Sequence, residues 1–181
     1  MNKLLIIHGS TRPSRVGLPV AQWVQALAEQ SGMFEVSFAD LAEVDLPLLN
    51  EPEHPVKQNY VHEHTKRWSA IVNPADAFIF VTPEYDYFPP AALVNAIQYL
   101  SKEWAKKPAG IVSYGGISGG LRSTQALRLL LSGVNLMTLS QSVPLAFFSQ
   151  HINEEKKFVA TEPFTKSALG LIGELKGYLD R

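Results

Sequence analysis

The sequence predicts an α/β fold of the doubly wound kind, a five-stranded parallel sheet in the order 2-1-3-4-5 with helices on both faces. Three observations carry that reading. Short apolar runs alternate five times with longer amphipathic segments, the pattern of repeated strand–helix units. The strand candidates are continuous apolar runs, so both faces of the sheet must be covered, as in parallel sheets. Five strands in 181 residues suit this open order better than an eight-stranded barrel or a longer dinucleotide fold.

The elements follow in order. Leu4–Ile7 reads as a buried strand, and Val20, Ala21, Trp23, Val24, Leu27 and Ala28 recur at helical spacing after it, with Pro19 in the first turn. Phe34–Ala39 is a second strand. Residues from about Asp40 to Asn59 carry three prolines and little periodicity, which predicts a long loop. Tyr60–Val72 is a helix stopped by Asn73-Pro74. Ala77–Thr82 is a third strand ended by Pro83, and Ala91–Glu103 the next helix. Pro108–Tyr114 is a fourth strand, Leu121–Leu131 a helix closed by Gly133, Asn135–Leu139 a fifth strand and Phe164–Leu179 a terminal helix. No repeat or low-complexity segment interrupts the series.

Composition removes several function classes. The net charge is −1, so neither nucleic acid nor an anionic membrane is expected as partner. The absence of cysteine removes disulfides, thiolate nucleophiles and metal–thiolate sites, and is compatible with a cytoplasmic protein. Leu4–Ile7 is too short for a signal-peptide core, and no stretch approaches the ~20 apolar residues of a membrane span. His62 and His64 lie two apart in a predicted helix, which points them to different faces. His8 ends a buried strand and reads as a core residue, and no metal site is expected.

In a doubly wound sheet, ligands bind outside the carboxyl ends of the strands near the switch point. The loops after strands one, three and four are the three most unusual stretches of the chain. The first, Gly9–Gly17, gathers Ser10, Thr11, Ser14, Arg12 and Arg15 just before a helix. A helix N-terminus offers free N–H groups and partial positive charge. The loop therefore reads as a phosphate receptor, against the alternative of a solvated turn with two surface arginines. It lacks the Gly-Lys-Ser/Thr of a P-loop and the G-x-G of a dinucleotide fingerprint, so a terminal monophosphate fits it best. The second loop, Thr82–Pro90, mixes Glu84 and Asp86 with three aromatics and three prolines. Its extended backbone suits a flat ring lying against Pro83 and Tyr85, and a rigid surface turn is the other reading. The third, Ser113–Gly120, carries four glycines between strand and helix, which allow close backbone approach.

Gly116-Ile117-Ser118-Gly119-Gly120 also matches the G-x-S-x-G elbow of hydrolases. That chemistry needs an acid and then a histidine after the serine. No Asp or Glu lies between Gly119 and Gln150, and the only later histidine is His151. The triad cannot be completed in that order.

Taken together, the three loops resemble the NAD(P)H-dependent FMN reductase family of the flavodoxin-like fold. Gly9-Ser10-Thr11-Arg12-Pro13-Ser14-Arg15 is similar to its G-S-T-R-P-x-R branch. Thr82-Pro83-Glu84-Tyr85, Pro90, Leu93 and Asn95-Ala96-Ile97 fall on its second motif, and Tyr114–Gly120 with Arg122 on its glycine loop. The resemblance implies one flavodoxin-like FMN-binding domain over residues 1–181. It implies FMN phosphate at Ser10, Arg12, Arg15 and the N–H groups of Val16 and Gly17. The ring system then lies between Pro83, Glu84, Tyr85 and Asp86 on one side and Ser113, Tyr114, Gly115 and Gly116 on the other. The implied activity is hydride transfer from NADPH or NADH to flavin N5, then to a flavin, quinone or azo acceptor. The flavin carries the chemistry, so no catalytic side chain is expected. A homodimer, or a tetramer, is implied too, and Trp68, Trp104, Tyr87 and Phe88 are the large apolar groups considered for contacts.

This sequence departs from the family at Asp86, where Asn is usual, at Tyr87, where Gly is frequent, and at Val94 and Gln98. A carboxylate cannot donate as an amide can, and Tyr87 narrows the approach of a nicotinamide. A second reading of the same motifs is an FMN-binding electron carrier that does not turn over NAD(P)H. Such carriers use strong acidity to dock on basic partners, which the near-neutral balance does not offer.

Overall fold

Six strands fill five positions of one parallel sheet in the computed structural model, which describes residues 1–181. The strands are β1 (Lys3–His8), β2 (Glu35–Asp40), β3 (Ala77–Pro83), β4 (Pro108–Gly115), β5 (Met137–Thr138) and β6 (Val143–Ala146). The order is β2-β1-β3-β4-β5, with β6 also on β4, so the chain has the doubly wound order expected of it. The helices are α1 (Leu18–Ser31), α2 (Leu41–Val44), α3 (Glu63–Val72), α4 (Ala91–Gln98), α5 (Leu121–Gly133) and α6 (Glu162–Leu179).

Both sheet faces are dry. Leu4 and Ile6 of β1, with Ile79 and Val81 of β3, pack against Val20, Val24, Leu171 and Leu175 of α1 and α6. Leu5, Ile7, Phe78 and Phe80 pack on the other face against Trp68, Ile97, Trp104 and Leu127. Successive side chains of each strand thus enter opposite cores, which is why the strands read as unbroken apolar runs. Trp68 and Trp104 are core residues, 1% and 0% exposed, and are not available for assembly contacts.

Apart from shifts of one or two residues at element ends, the structure departs from the sequence reading in four places. The fifth position is a split strand. Met137–Thr138 pairs with Pro108–Ala109, and Val143–Ala146 pairs with Val112–Gly115. Between them the carbonyls of Leu139, Ser140 and Gln141 leave the ladder and are taken by the Arg128 guanidinium of α5. The expected Asp40–Asn59 loop contains α2, capped by the Asp40 carboxylate at Ala42 N–H, and a single 3₁₀ turn at Pro55–Lys57. Helix α3 begins at Glu63 because Glu51 takes the N–H groups of Val61 and His62. Helix α4 ends at Gln98, and the following turn buries the Glu103 carboxylate under Tyr60 and Ser69 hydroxyls.

Candidate functional site

The carboxyl ends of β1, β3, β4 and β6 open on one cavity of about 180 Å³. Ser10, Arg12, Ser14, Arg15, Val16 and Gly17 form one wall. Pro83, Glu84 and Tyr85 form the opposite one, with Tyr114, Gly115 and Phe148 behind. Ten of the thirteen residues expected from the sequence therefore meet in one place. Ser113, Asp86 and Gly116 do not line it. Ser113 is fully buried and donates to the Gly119 carbonyl at 2.8 Å. Asp86 is exposed at a hairpin tip. Phe148 was not anticipated, because β6, which delivers it, was not.

The first wall is short of acceptors. Between β1 and α1 the only backbone donors that find a partner are Gly9, to Val81, and Arg15, to Arg12. The N–H groups of Ser10, Thr11, Arg12, Ser14, Val16 and Gly17 have no acceptor in the chain. Those of Val16 and Gly17 stand at the N-terminal end of α1, whose cap makes no side-chain bond. Arg12 pairs with no carboxylate, and its guanidinium lies 5.5 Å from the Tyr85 ring centroid. Arg15 is bound to Asp40. Gly17 has φ −83, so it is needed for space rather than conformation. A Cβ there would overlap the phenol end of the Tyr114 side chain.

The opposite wall is saturated. The Glu84 carboxylate accepts from Ser118 Oγ at 3.1 Å, from Arg122 N–H at 3.1 Å and Nε at 2.7 Å, and from Ser123 N–H at 3.4 Å. Burial alone would raise this carboxyl, but the bonds from Arg122, Ser118 and Ser123 outweigh it and hold it below the usual range. Glu84 thus caps α5 and locks the second loop to the third. Tyr85 and Phe88 exchange both backbone hydrogen bonds at 2.9 Å. The two residues between them, Asp86 (φ 49) and Tyr87 (φ 76), are both left-handed, as in the two-residue turn that favours Asn-Gly. Asn and Gly, which the resemblance leads one to expect at these positions, suit such a turn better than Asp and Tyr. The Tyr87 ring is held by Arg122, 4.0 Å from its centroid.

The glycines of the third loop divide by task. Gly119 (φ 58) and Gly120 (φ 84) make the turn into α5, where added Cβ atoms would meet backbone at 2.9 and 3.0 Å. At Gly116 a Cβ would meet no atom within 4 Å, so the fold does not require glycine there.

Tyr114 reaches back under the first loop. Its hydroxyl lies 3.4 Å from His8 Nε2, and its ring packs on Phe148 with centroids 4.7 Å apart. Burial, and then the Tyr85 hydroxyl, push the Tyr114 phenol well above its ordinary value. Ser10 Oγ and Tyr85 OH are 2.8 Å apart and join the two walls.

The competing readings can be placed as well. Ser118 Oγ bonds Glu84 and accepts Gly120 N–H, with no imidazole on it, and His151 packs edge-on against Phe158 and Phe164. His62 precedes α3 as its cap, so its ring does not diverge from His64 as a helical spacing predicts. The two rings stack at 5.0 Å, each bonded to Asn50. No three His, Cys, Asp or Glu side chains are grouped to hold a metal ion, and no helix is long and apolar enough to cross a membrane.

Residues 2–150 match the family model of NADPH-dependent FMN reductases. The chain is 41% identical over 120 residues to an NAD(P)H-dependent FMN reductase of Schizosaccharomyces pombe, a match covering 65% of this chain and 60% of that protein. It is 30% identical over 179 residues to an NADPH azoreductase of a Bacillus species, covering 98% of this chain and 92% of that one. In structure it is similar to the flavoenzyme NAD(P)H:(acceptor) oxidoreductase FerB of Paracoccus denitrificans, with a TM-score of 0.76, 22% identity and coverage of 99% and 98% of the two chains. A doubly wound sheet, a donor-rich loop after β1 and the Thr82–Tyr85 motif facing it all fall inside the matched region, and the chain belongs to the NADPH-dependent FMN reductase family.

Proposed function

We propose that the protein is an FMN-dependent NAD(P)H oxidoreductase that passes electrons by a ping-pong route to a small-molecule acceptor, a flavin, a quinone or an azo compound. The observation that carries this reading is the unsatisfied first wall: Arg12 and the free N–H groups of Ser10, Arg12, Ser14, Val16 and Gly17 belong to residues that line one side of the cavity, the last two at the start of α1. That donor set fits a phosphomonoester dianion. The space between Pro83–Tyr85 and Gly115 fits a flat ring, since the third loop puts no side chain into it at Gly115.

FMN, when bound, supplies the hydride chemistry between nicotinamide and acceptor. Everything else is assigned to the chain. Ser10, Arg12, Arg15 and the Val16 and Gly17 N–H groups hold the phosphate. Pro83, Tyr85 and Gly115 fix the plane of the ring. Glu84 keeps the second and third loops at a constant separation, and Tyr114 with Phe148 closes the rear of the cavity to water. No side chain is asked to act as acid, base or nucleophile.

Residues 1–181 act as one FMN-binding domain in the cytoplasm, paired as a homodimer. Exposed Tyr87, Phe88, Ile117 and Phe147 on the loops that frame the cavity support such a pairing. An azo acceptor is supported by the azoreductase relative. The electron-carrier reading expects a strongly acidic chain, and this one has a net charge of −1.

The test is the visible spectrum. Purified protein should bind FMN with a shifted flavin absorbance, and NADPH should bleach it without oxygen. An apoprotein that ignores micromolar FMN overturns the reading. Bound FMN that NADPH leaves oxidised turns it into the carrier.

A further inference from the structure

The mechanism leaves one buried titratable pair unused. His8 and Asp40 are register partners across β1 and β2, 0% and 4% exposed. The two Asp40 oxygens face different groups, and Oδ1 also accepts the Ala42 N–H at 3.1 Å. Oδ2 is bound by Arg15, and Oδ1 faces His8 Nδ1 at 3.5 Å. That Nδ1 has no hydrogen-bond partner. The groups facing His8 are Asp40 on β2, Arg15 in the first loop and Tyr114 on β4, and β3 sets apolar Val81 beside it. Burial lowers the His8 pKa, Asp40 raises it and Arg15 lowers it again, with a net lowering. His8 is therefore held neutral while Arg15 occupies Asp40.

Arg15 has two claims on it. It lines the phosphate wall, yet its guanidinium is committed to a carboxylate behind that wall. A dianion arriving at the first loop competes with Asp40 for the same cation. If Arg15 leaves, Asp40 is a buried carboxylate without a counter-charge, a costly state. His8 is already in position to supply one.

We propose that Asp40 and His8 are positioning residues of the phosphate site which exchange partners with Arg15. On phosphomonoester binding, Arg15 turns from Asp40 to the ligand, and His8 Nδ1 takes a proton from solvent and replaces Arg15 on Asp40. Binding of a phosphorylated flavin is thereby coupled to uptake of one proton, and binding of the unphosphorylated ring is not. This rests on the FMN reading above, in which Arg15 belongs to the phosphate.

Calorimetric titration of apoprotein with FMN tests it, in Hepes and in Tris at pH 7.5, where the free phosphomonoester is already mostly dianionic because its second pKa is about 6. The dependence of heat on buffer gives the protons exchanged. Wild type should take up close to one proton per FMN, with affinity falling up to about tenfold per pH unit above neutrality, and none with riboflavin. Asp40→Asn keeps the α2 cap, since Asn serves there as well as Asp. It should abolish the uptake and bind FMN at least as tightly as wild type. His8→Gln should also abolish the uptake. FMN favoured over riboflavin with no proton uptake in wild type overturns the exchange and leaves the phosphate site standing. Uptake that persists in Asp40→Asn overturns it too. Equal binding of FMN and riboflavin overturns the phosphate reading itself, and the exchange with it.

Discussion

The two walls of the cavity are built on opposite principles. Across the opening from a loop with six unpaired N–H groups and an unpaired arginine stands a loop pair whose carboxylate accepts four bonds and whose hairpin closes on itself. Unpaired donors cost little where water reaches them, but they are an incomplete structure that an anion completes. A saturated wall gains nothing electrostatic from a ligand and offers shape. One side of this site recognises charge, and the other holds a plane.

The division is sharpest in a crossed pair of substitutions. Glu84→Ala removes a nearly buried carboxylate that joins two loops and caps α5, and leaves Ser118, Arg122 and Ser123 without their acceptor. It should cost about 3 kcal/mol of stability, read as a lowered urea midpoint. Arg12→Ala, at an exposed residue with no ion pair, should change stability by less than about 0.5 kcal/mol. It should instead weaken FMN by at least about tenfold, the worth of one charged hydrogen bond, and leave riboflavin unchanged. If Arg12→Ala weakens both ligands equally, the first wall does not read phosphate. If Glu84→Ala unfolds at the wild-type midpoint, the second wall is not held by its carboxylate.

Acid separates the same two regions. His8 sits behind the charge-reading wall with its pKa lowered, so the unfolded chain binds more protons than the folded one below about pH 6.5. Stability is therefore lost as pH falls from there toward the folded value. Glu84, on the other wall, is also lowered, and its contribution is present above about pH 4.3 and is lost below that. Urea midpoints of the apoprotein should fall in two stages, the upper from His8 and the lower from Glu84 and other bonded carboxylates. His8→Gln should flatten the upper stage alone. A profile of the same shape with and without His8 would show that His8 protonates as freely in the folded chain as in the unfolded one.

Much of this was readable in the sequence, and the exceptions share a cause. The donor loop was legible because its residue types carry the chemistry themselves and its place after β1 follows from periodicity. The core strands were legible because each faces two apolar layers. The split fifth position was not, because what permits it is Arg128, which reaches from α5 to three carbonyls no local pattern marks. Phe148 was lost with it. The His8–Asp40 pair is a product of sheet register, invisible until β1 and β2 are aligned. Ser113 and the glycines of the third loop have the right composition for a ligand, yet Ser113, Gly119 and Gly120 are used by the turn itself.

The smallest effect expected lies on the shape-holding wall. A tyrosine at φ 76 costs roughly 1 kcal/mol or more relative to glycine. Its stacking with the Arg122 guanidinium returns roughly 0.5–1 kcal/mol at an exposed site. Tyr87→Gly should therefore be almost neutral or slightly stabilising, although it deletes a large side chain. Its gain should grow by roughly 0.5–1 kcal/mol in an Arg122→Ala background, where nothing holds the ring. A double-mutant cycle on urea midpoints reads that coupling directly. Strong destabilisation by Tyr87→Gly would mean that the ring is a strut of the wall. Near-neutrality, together with altered nicotinamide turnover, would mean that this turn spends its backbone strain on holding an aromatic ring beside the cavity, where glycine gives the easier turn.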